Sequence, residues 1–263
     1  MVHEAKRWFK PLARAGYASR GVIYAVIGFF AALAAIGAGR PMDSRQALGE
    51  LLSSGAGSLL AYALVAALVC YALWRVIQAV FDTDSHGTGL KGLAIRGGLL
   101  ASAIFYLTLA AYAWSLHGAD EDGTEGRGFA DTLAGFVGGR WAAAMIAVIL
   151  IVVGIAHMAK ALREKYARHI DASPRAMRLI HPIAKTGLIA RGAVFLTLAF
   201  LFALRAWRAD ASGETPGTQE ALEYVQSLPM GWLLLAATGI GLVSFALYSV
   251  IQGGFRRINV EDA

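Results

Sequence analysis

Three stretches decide how this chain reads: GYASRGVIYAVIG (residues 16–28), GLAIRGGLLASAI (92–104) and GLIARGAVFLTLA (187–199). Each is Gly-x-x-x-Arg-Gly running into an apolar segment, and each follows a basic residue, Arg14, Lys91 or Lys185. A second set of positions repeats in step. Gly57, Gly139 and Gly231 each open an apolar segment, and 21 residues later comes a long polar side chain, Gln78, Lys160 or Gln252. YALWRVIQA (71–79) matches FALYSVIQG (245–253) closely, whereas VGIAHMAKA (153–161) has diverged. Self-similarity at matching places marks a structural repeat. Here the unit is a pair of apolar segments joined by an outer connection, written three times at residues 12–82, 90–166 and 183–257 of a single domain, 1–263.

Working outward, the apolar segments are long. Runs free of Asp, Glu, Lys and Arg cover residues 21–39, 51–74, 97–116, 141–159 and 224–255. A sixth, 186–207, is flanked and interrupted by arginines that can snorkel to headgroups, and spans about 33 Å at ~1.5 Å per residue. A bilayer core of ~30 Å needs about 20 such residues. The composition agrees: 57% of the 263 residues are hydrophobic and only 16% are charged, which excludes disorder and strains any soluble fold. The first segment has the basic lead of a signal peptide, but it exceeds the usual signal core and recurs in the other two copies, so it reads as a retained span. The fold class is therefore all-α, a polytopic membrane protein with six transmembrane helices.

The +6 net charge resembles a nucleic-acid signal until its placement is followed. With six spans, the side that holds both termini carries 18 Lys and Arg, and the other side carries 6. That asymmetry predicts both termini in the cytoplasm and the protein in the bacterial cytoplasmic (inner) membrane. The expected partners are membrane lipids, through anionic headgroups on the cytoplasmic side, and no nucleic acid.

Two spans per copy means that the copies are parallel. Rocking transporters of the inverted-repeat kind need an odd number of spans per repeat. Three parallel hairpins imply instead a pseudo-threefold six-helix bundle. The outer connections share a design as well: DSRQALGELL, FADTLAGFV and TQEALEYVQSL mix polar and apolar residues at helical spacing, with Asp43 or Ser44 and Thr218 placed as caps. They read as short amphipathic helices, and the Gly, Asp and Glu of 118–128 read as a solvated loop.

The repeated basic-x-Gly-x-x-x-Arg-Gly lead-in, with the Tyr-x-x-Trp-Arg-x-x-Gln-Ala ending, resembles the bacterial family known as domain of unknown function 1206, over residues 12–255. The resemblance implies a multi-pass bacterial membrane protein of three two-helix repeats and carries no catalytic residue with it. Lys160 in place of glutamine departs from the family pattern.

Arg20, Arg96 and Arg191 are the candidate site. Three related guanidinium groups could ring a vestibule and hold a phosphate or carboxylate, with Gln78, Lys160 and Gln252 in the same polar layer. The plain structural alternative has each arginine anchoring its helix to lipid phosphate or to the carbonyl end of a neighbouring helix. Gly21, Gly97 and Gly192 read as packing devices that let helices approach closely. His157 and His117 stand alone on opposite sides, Cys70 is the single cysteine, and no span interior carries an acid. No metal, cofactor or catalytic residue is therefore expected. Asp82, Asp84 and His86 form a compact cluster that reads as a turn.

The expectation is a non-enzymatic, lipid-interacting or scaffold component of the membrane, with homo-oligomers permitted by the many small residues on helix faces. The alternative is a small channel or passive transporter along the threefold axis. An axis filled by large apolar side chains favours the first, and a polar, water-accessible axis favours the second.

Overall fold

The structure, a computed structural model, describes residues 2–53, 57–83, 86–115, 139–208 and 218–256. Among them the chain forms α1 (Val2–Ala35), α2 (Ser44–Ser53), α3 (Gly57–Phe81), α4 (Leu90–Ser115), α5 (Gly139–Leu162), α6 (Pro174–Arg208), α7 (Thr218–Ser227) and α8 (Gly231–Phe255). Six of these helices are long and apolar enough to cross a membrane: α1, α3, α4, α5, α6 and α8. The all-α, six-span reading holds.

Local chemistry sets the short elements. Asp43 caps α2 by accepting from the Arg45 and Gln46 amides at 2.8 Å, while Gln46 Oε1 accepts from the Asp43 amide at 3.3 Å. This reciprocal pair is a capping box. The apolar run 224–255 is one stretch in sequence but two helices in space. Met230 takes a left-handed conformation with φ 59°, and α7 and α8 meet at that corner. The basic connection after α5, expected as a loop, turns helical at Pro174, with Ser173 as the cap and proline at the first helical position. The outer segment FADTLAGFV, His117 and the acidic stretch beside it lie outside the described residues.

Small residues set the packing. Along α1 and α8, Gly21 and Gly28 face Ala246 and Gly239. A Cβ on Gly28 would lie 2.8 Å from the Gly239 carbonyl oxygen, and one on Gly239 would lie 2.9 Å from that of Gly28. The seven-residue spacing keeps the small residues on one seam. Gly154 of α5 and Gly192 of α6 make the same kind of close crossing, at 2.9–3.0 Å. Gly21 and Gly192 thus sit in tight helix crossings. Gly97 corrects the expectation: a Cβ there would meet nothing within 4 Å. The reason is that α4 engages α3 farther along, through Ala103, Tyr106, Ala110 and Ala113.

The order of packing is α4, α3, α1, α8, α6, α5, each helix against the next. A closed ring of three hairpins would add one more junction, between α4 and α5. Among the described residues those two helices do not pack along their length. A glycine explains the difference. In the first hairpin Gly16 makes room for Tyr71, whose Cβ would stand 2.5 Å from an added Cβ; in the third, Gly187 does so for Phe245. Tyr71 and Phe245 occupy the same register position, seven residues before Gln78 and Gln252. In the second hairpin that position is Val153, too short to act as a knob, and Gly92 is closed off by the carbonyls of its own loop at His86 and Gly87. The ring is open at the second repeat.

On the side of the termini, the α5–α6 connection clasps the end of α8. The Asp171 amide donates to the Phe255 carbonyl at 2.7 Å, and Glu164 meets Lys185 at 2.6 Å. The hydrogen bond and charge of Lys185 hold the exposed Glu164 carboxyl below the usual carboxylate range.

Candidate functional site

The three lead-in arginines stand at the same register position on α1, α4 and α6, helices that pack against the second span of another repeat: α8, α3 and α5. What each finds there depends on two residues of that span, four and seven positions after the knob. On α8 they are Ser249 and Gln252, on α3 Arg75 and Gln78, and on α5 His157 and Lys160.

Arg20 meets neutral acceptors. Its Nε donates to Ser249 Oγ at 3.1 Å, Nη2 to Gln252 Oε1 at 2.5 Å and Nη1 to the Tyr71 hydroxyl at 2.7 Å. The rings of Tyr17, Tyr71 and Phe245 lie 5.0–5.5 Å from its Cζ. With 4% of its surface exposed, the cation is buried but supplied with both hydrogen bonds and ring faces.

Arg96 meets another cation. Arg75 occupies the position of Ser249, uses Gln78 Oε1 at 3.2 Å for itself and donates to the Tyr71 hydroxyl. Arg96 turns to the end of α3, where Nε donates to the Ala79 carbonyl at 2.5 Å and Nη2 to the Val80 carbonyl at 3.0 Å. Carbonyls at a helix C-terminus are a favourable place for a cation. Arg96 thus takes the plain structural alternative, and the three arginines do not ring one vestibule. Arg20 and Arg191 share the ring of Phe245, while Arg96 caps a helix outside their cluster.

In the register opposite Arg191 stand His157 and Lys160, whose side chains carry no anionic or amide oxygen. Its Cζ lies 4.5 Å from the Phe245 ring centroid, 4.8 Å from Tyr24 and 5.2 Å from Phe195. Among the described residues it makes no hydrogen bond, and its Nε is buried without a partner. The His157 ring packs against that of Phe195, with centroids 5.4 Å apart. His157 donates Nδ1–H to the Val153 carbonyl at 2.9 Å, since a carbonyl can only accept, which leaves Nε2 as the ring atom open to a ligand.

The other polar clusters are structural. Asp82 accepts from the His86 and Gly87 amides at 2.8 and 2.6 Å, closing the turn expected there, and those hydrogen bonds hold its carboxyl low. Among the described residues no group of three His, Cys, Asp or Glu is arranged to hold a metal. Tyr71, Arg75, Ser249, Tyr24 and Phe245 were not singled out from the sequence. The signal that could have found them is the alignment of the three even-span endings, read position by position.

The profile of the family described as Domain of Unknown Function (DUF1206) matches residues 15–82, 97–164 and 186–256. The chain is 29% identical over 262 residues to the uncharacterized protein YxxB of Bacillus subtilis (strain 168), covering 98% of this chain and 95% of that protein. No solved structure matches. Each matched segment carries one apolar hairpin with its lead-in arginine or the glycine after it, and the chain is a multi-pass membrane protein that belongs to the DUF1206 family.

Proposed function

We propose that this protein is a non-enzymatic membrane component that binds an anionic phospholipid headgroup from the cytoplasmic leaflet, with Arg191 as the principal contact and both termini in the cytoplasm. The observation that carries this reading is the unpartnered guanidinium of Arg191 in spans that contain no Asp or Glu. Arg191 is half-buried with its Nε shut off from solvent, and a buried donor left without an acceptor costs about 1–3 kcal/mol. Ring faces offset part of that, but they leave the N–H edges unused. A phosphate oxygen supplies what is missing, and basic pockets between membrane helices are known hosts for lipid headgroups. The level suits it: His157 and Lys160 lie within about 8 Å of the end of α5 at ~1.5 Å per residue. The 18:6 bias in basic residues supports placing that end in the anionic cytoplasmic leaflet. Leu68, Tyr71, Tyr106, Leu109, Val194 and Leu198 share one buried cluster inside the bundle, which favours a binding role over an aqueous path.

The test is native mass spectrometry of the protein released from membranes in mild detergent. Wild type should retain phosphatidylglycerol or cardiolipin with about tenfold preference over phosphatidylethanolamine, equivalent to about 1.4 kcal/mol. Arg191→Gln should lose that preference. Equal retention by wild type and variant would sink the reading.

A further inference from the structure

We infer that the open second hairpin is a lateral opening, and that the phospholipid held at Arg191 lies with an acyl chain between α4 and α5. This rests on the headgroup reading of Arg191 above and adds the route and the ligand class: an intact glycerophospholipid, not a free anion.

Three independent features meet at this seam. The first is geometric. Of the six junctions that a closed ring needs, the α4–α5 junction is the one that does not pack closely among the described residues. The knob of the other two hairpins is replaced by Val153, and Gly97 and Gly98 on α4 face open space. The second is apolarity. Ile104, Phe105 and Leu107 of α4, and Val148, Ile149 and Val152 of α5, are exposed within segments that match a bilayer core in length and composition. Exposed carbon at that depth suits an acyl chain and does not suit water or phosphate. The third is charge. On the α5 wall the His157 ring lies 5.4 Å from that of Phe195, whose ring in turn lies 5.2 Å from the Arg191 Cζ. His157 lies one turn from Val153 and is bonded to its carbonyl. A lipid standing in the seam therefore has an apolar slot for its chain and a cation beside its phosphate. In the first and third hairpins, an aromatic knob seated on Gly16 or Gly187 fills the equivalent space.

The experiment restores the knob. Val153→Phe places at this position the residue found in the third hairpin. Protein in nanodiscs is titrated with dioleoyl phosphatidylglycerol, with its deacylated headgroup glycerophosphoglycerol and with inorganic phosphate. Wild type should bind the intact lipid at least tenfold more tightly than either water-soluble anion. Val153→Phe should lose at least tenfold for the lipid, whereas Leu247→Phe, on the exposed face of α8, should not. A phosphatidylglycerol with a diazirine in its acyl chain, added to wild type, should label α4 and α5 peptides, which tests the seam even if Val153→Phe does not fold. Equal affinity for the deacylated headgroup, undiminished lipid binding by Val153→Phe, or labelling elsewhere would overturn the seam while leaving Arg191 as an anion site. A wild-type dimer that Val153→Phe converts to monomer without loss of lipid would mean that a second copy covers the seam, which also overturns it. Failure of wild type to bind any of the three probes would instead sink the reading of Arg191 itself.

Discussion

Arg20 and Arg191 are the same residue of the same repeat, on α1 and α6, and they have opposite surroundings. Arg20 has three side-chain oxygens in hydrogen-bond reach, while Arg191 has rings and no oxygen. The difference lies not in the arginines but in their partners: Ser249 and Gln252 on α8, against His157 and Lys160 on α5. A duplicated hairpin thus keeps its cation while one copy loses its acceptors. The copy that satisfied the charge internally serves the fold, and the copy that did not is left with an affinity to spend on a ligand.

The largest expected effect probes that contrast directly. Arg20→Ala removes a buried charge and strands Ser249, Gln252 and Tyr71, at a cost on the order of 2–4 kcal/mol. Arg191→Ala removes a cation that has no hydrogen bonds to lose, so its stability in zwitterionic detergent should change by less than about 1 kcal/mol. Thermal unfolding of the two variants side by side decides the matter, and equal losses would erase the distinction.

A second, smaller effect compares the hairpins through their glycines. Gly187→Ala drives a methyl group to 2.5 Å from the Phe245 backbone and should cost about 1–3 kcal/mol. Gly97→Ala meets nothing and should be neutral or, through helix propensity, stabilising by up to about 1 kcal/mol. A clear loss at Gly97 would mean that the second hairpin packs like the others. The smallest effect makes the second repeat resemble the third: Lys160→Gln gives Arg191 an amide oxygen of the kind that Arg20 has. It should stabilise the protein by about 1 kcal/mol and weaken retention of anionic lipid. Tighter retention would contradict the comparison.

Much of this architecture is legible in the chain because it is set by local patterns. Six runs of about 20 apolar residues leave a membrane helix little alternative. The Asp43 and Gln46 cap is readable from their spacing, and so is the break where Pro229, Met230 and Gly231 part α7 from α8. The extension of α6 back to Pro174 was less visible, because the span reads from Thr186 and eight basic residues lie between 160 and 191. The site was half legible. Repetition pointed to Arg20, Arg96 and Arg191, but their fates depend on residues brought close only by the fold, such as Ser249, 229 positions from Arg20. Gly97 was misplaced for the same reason. A repeat pattern reports where a contact is made in the other copies, not that the neighbour is present in this one.

The proposed role of Arg191 is to hold an anionic lipid where its siblings hold protein. The most direct measurement is the change in melting temperature when protein is moved from phosphatidylcholine nanodiscs to nanodiscs containing phosphatidylglycerol. Ligand at about 100 times its dissociation constant stabilises by about 2.7 kcal/mol, enough to read as several degrees. The account predicts such a rise for wild type and for Arg96→Gln, and none for Arg191→Gln. The same rise in Arg191→Gln would contradict it.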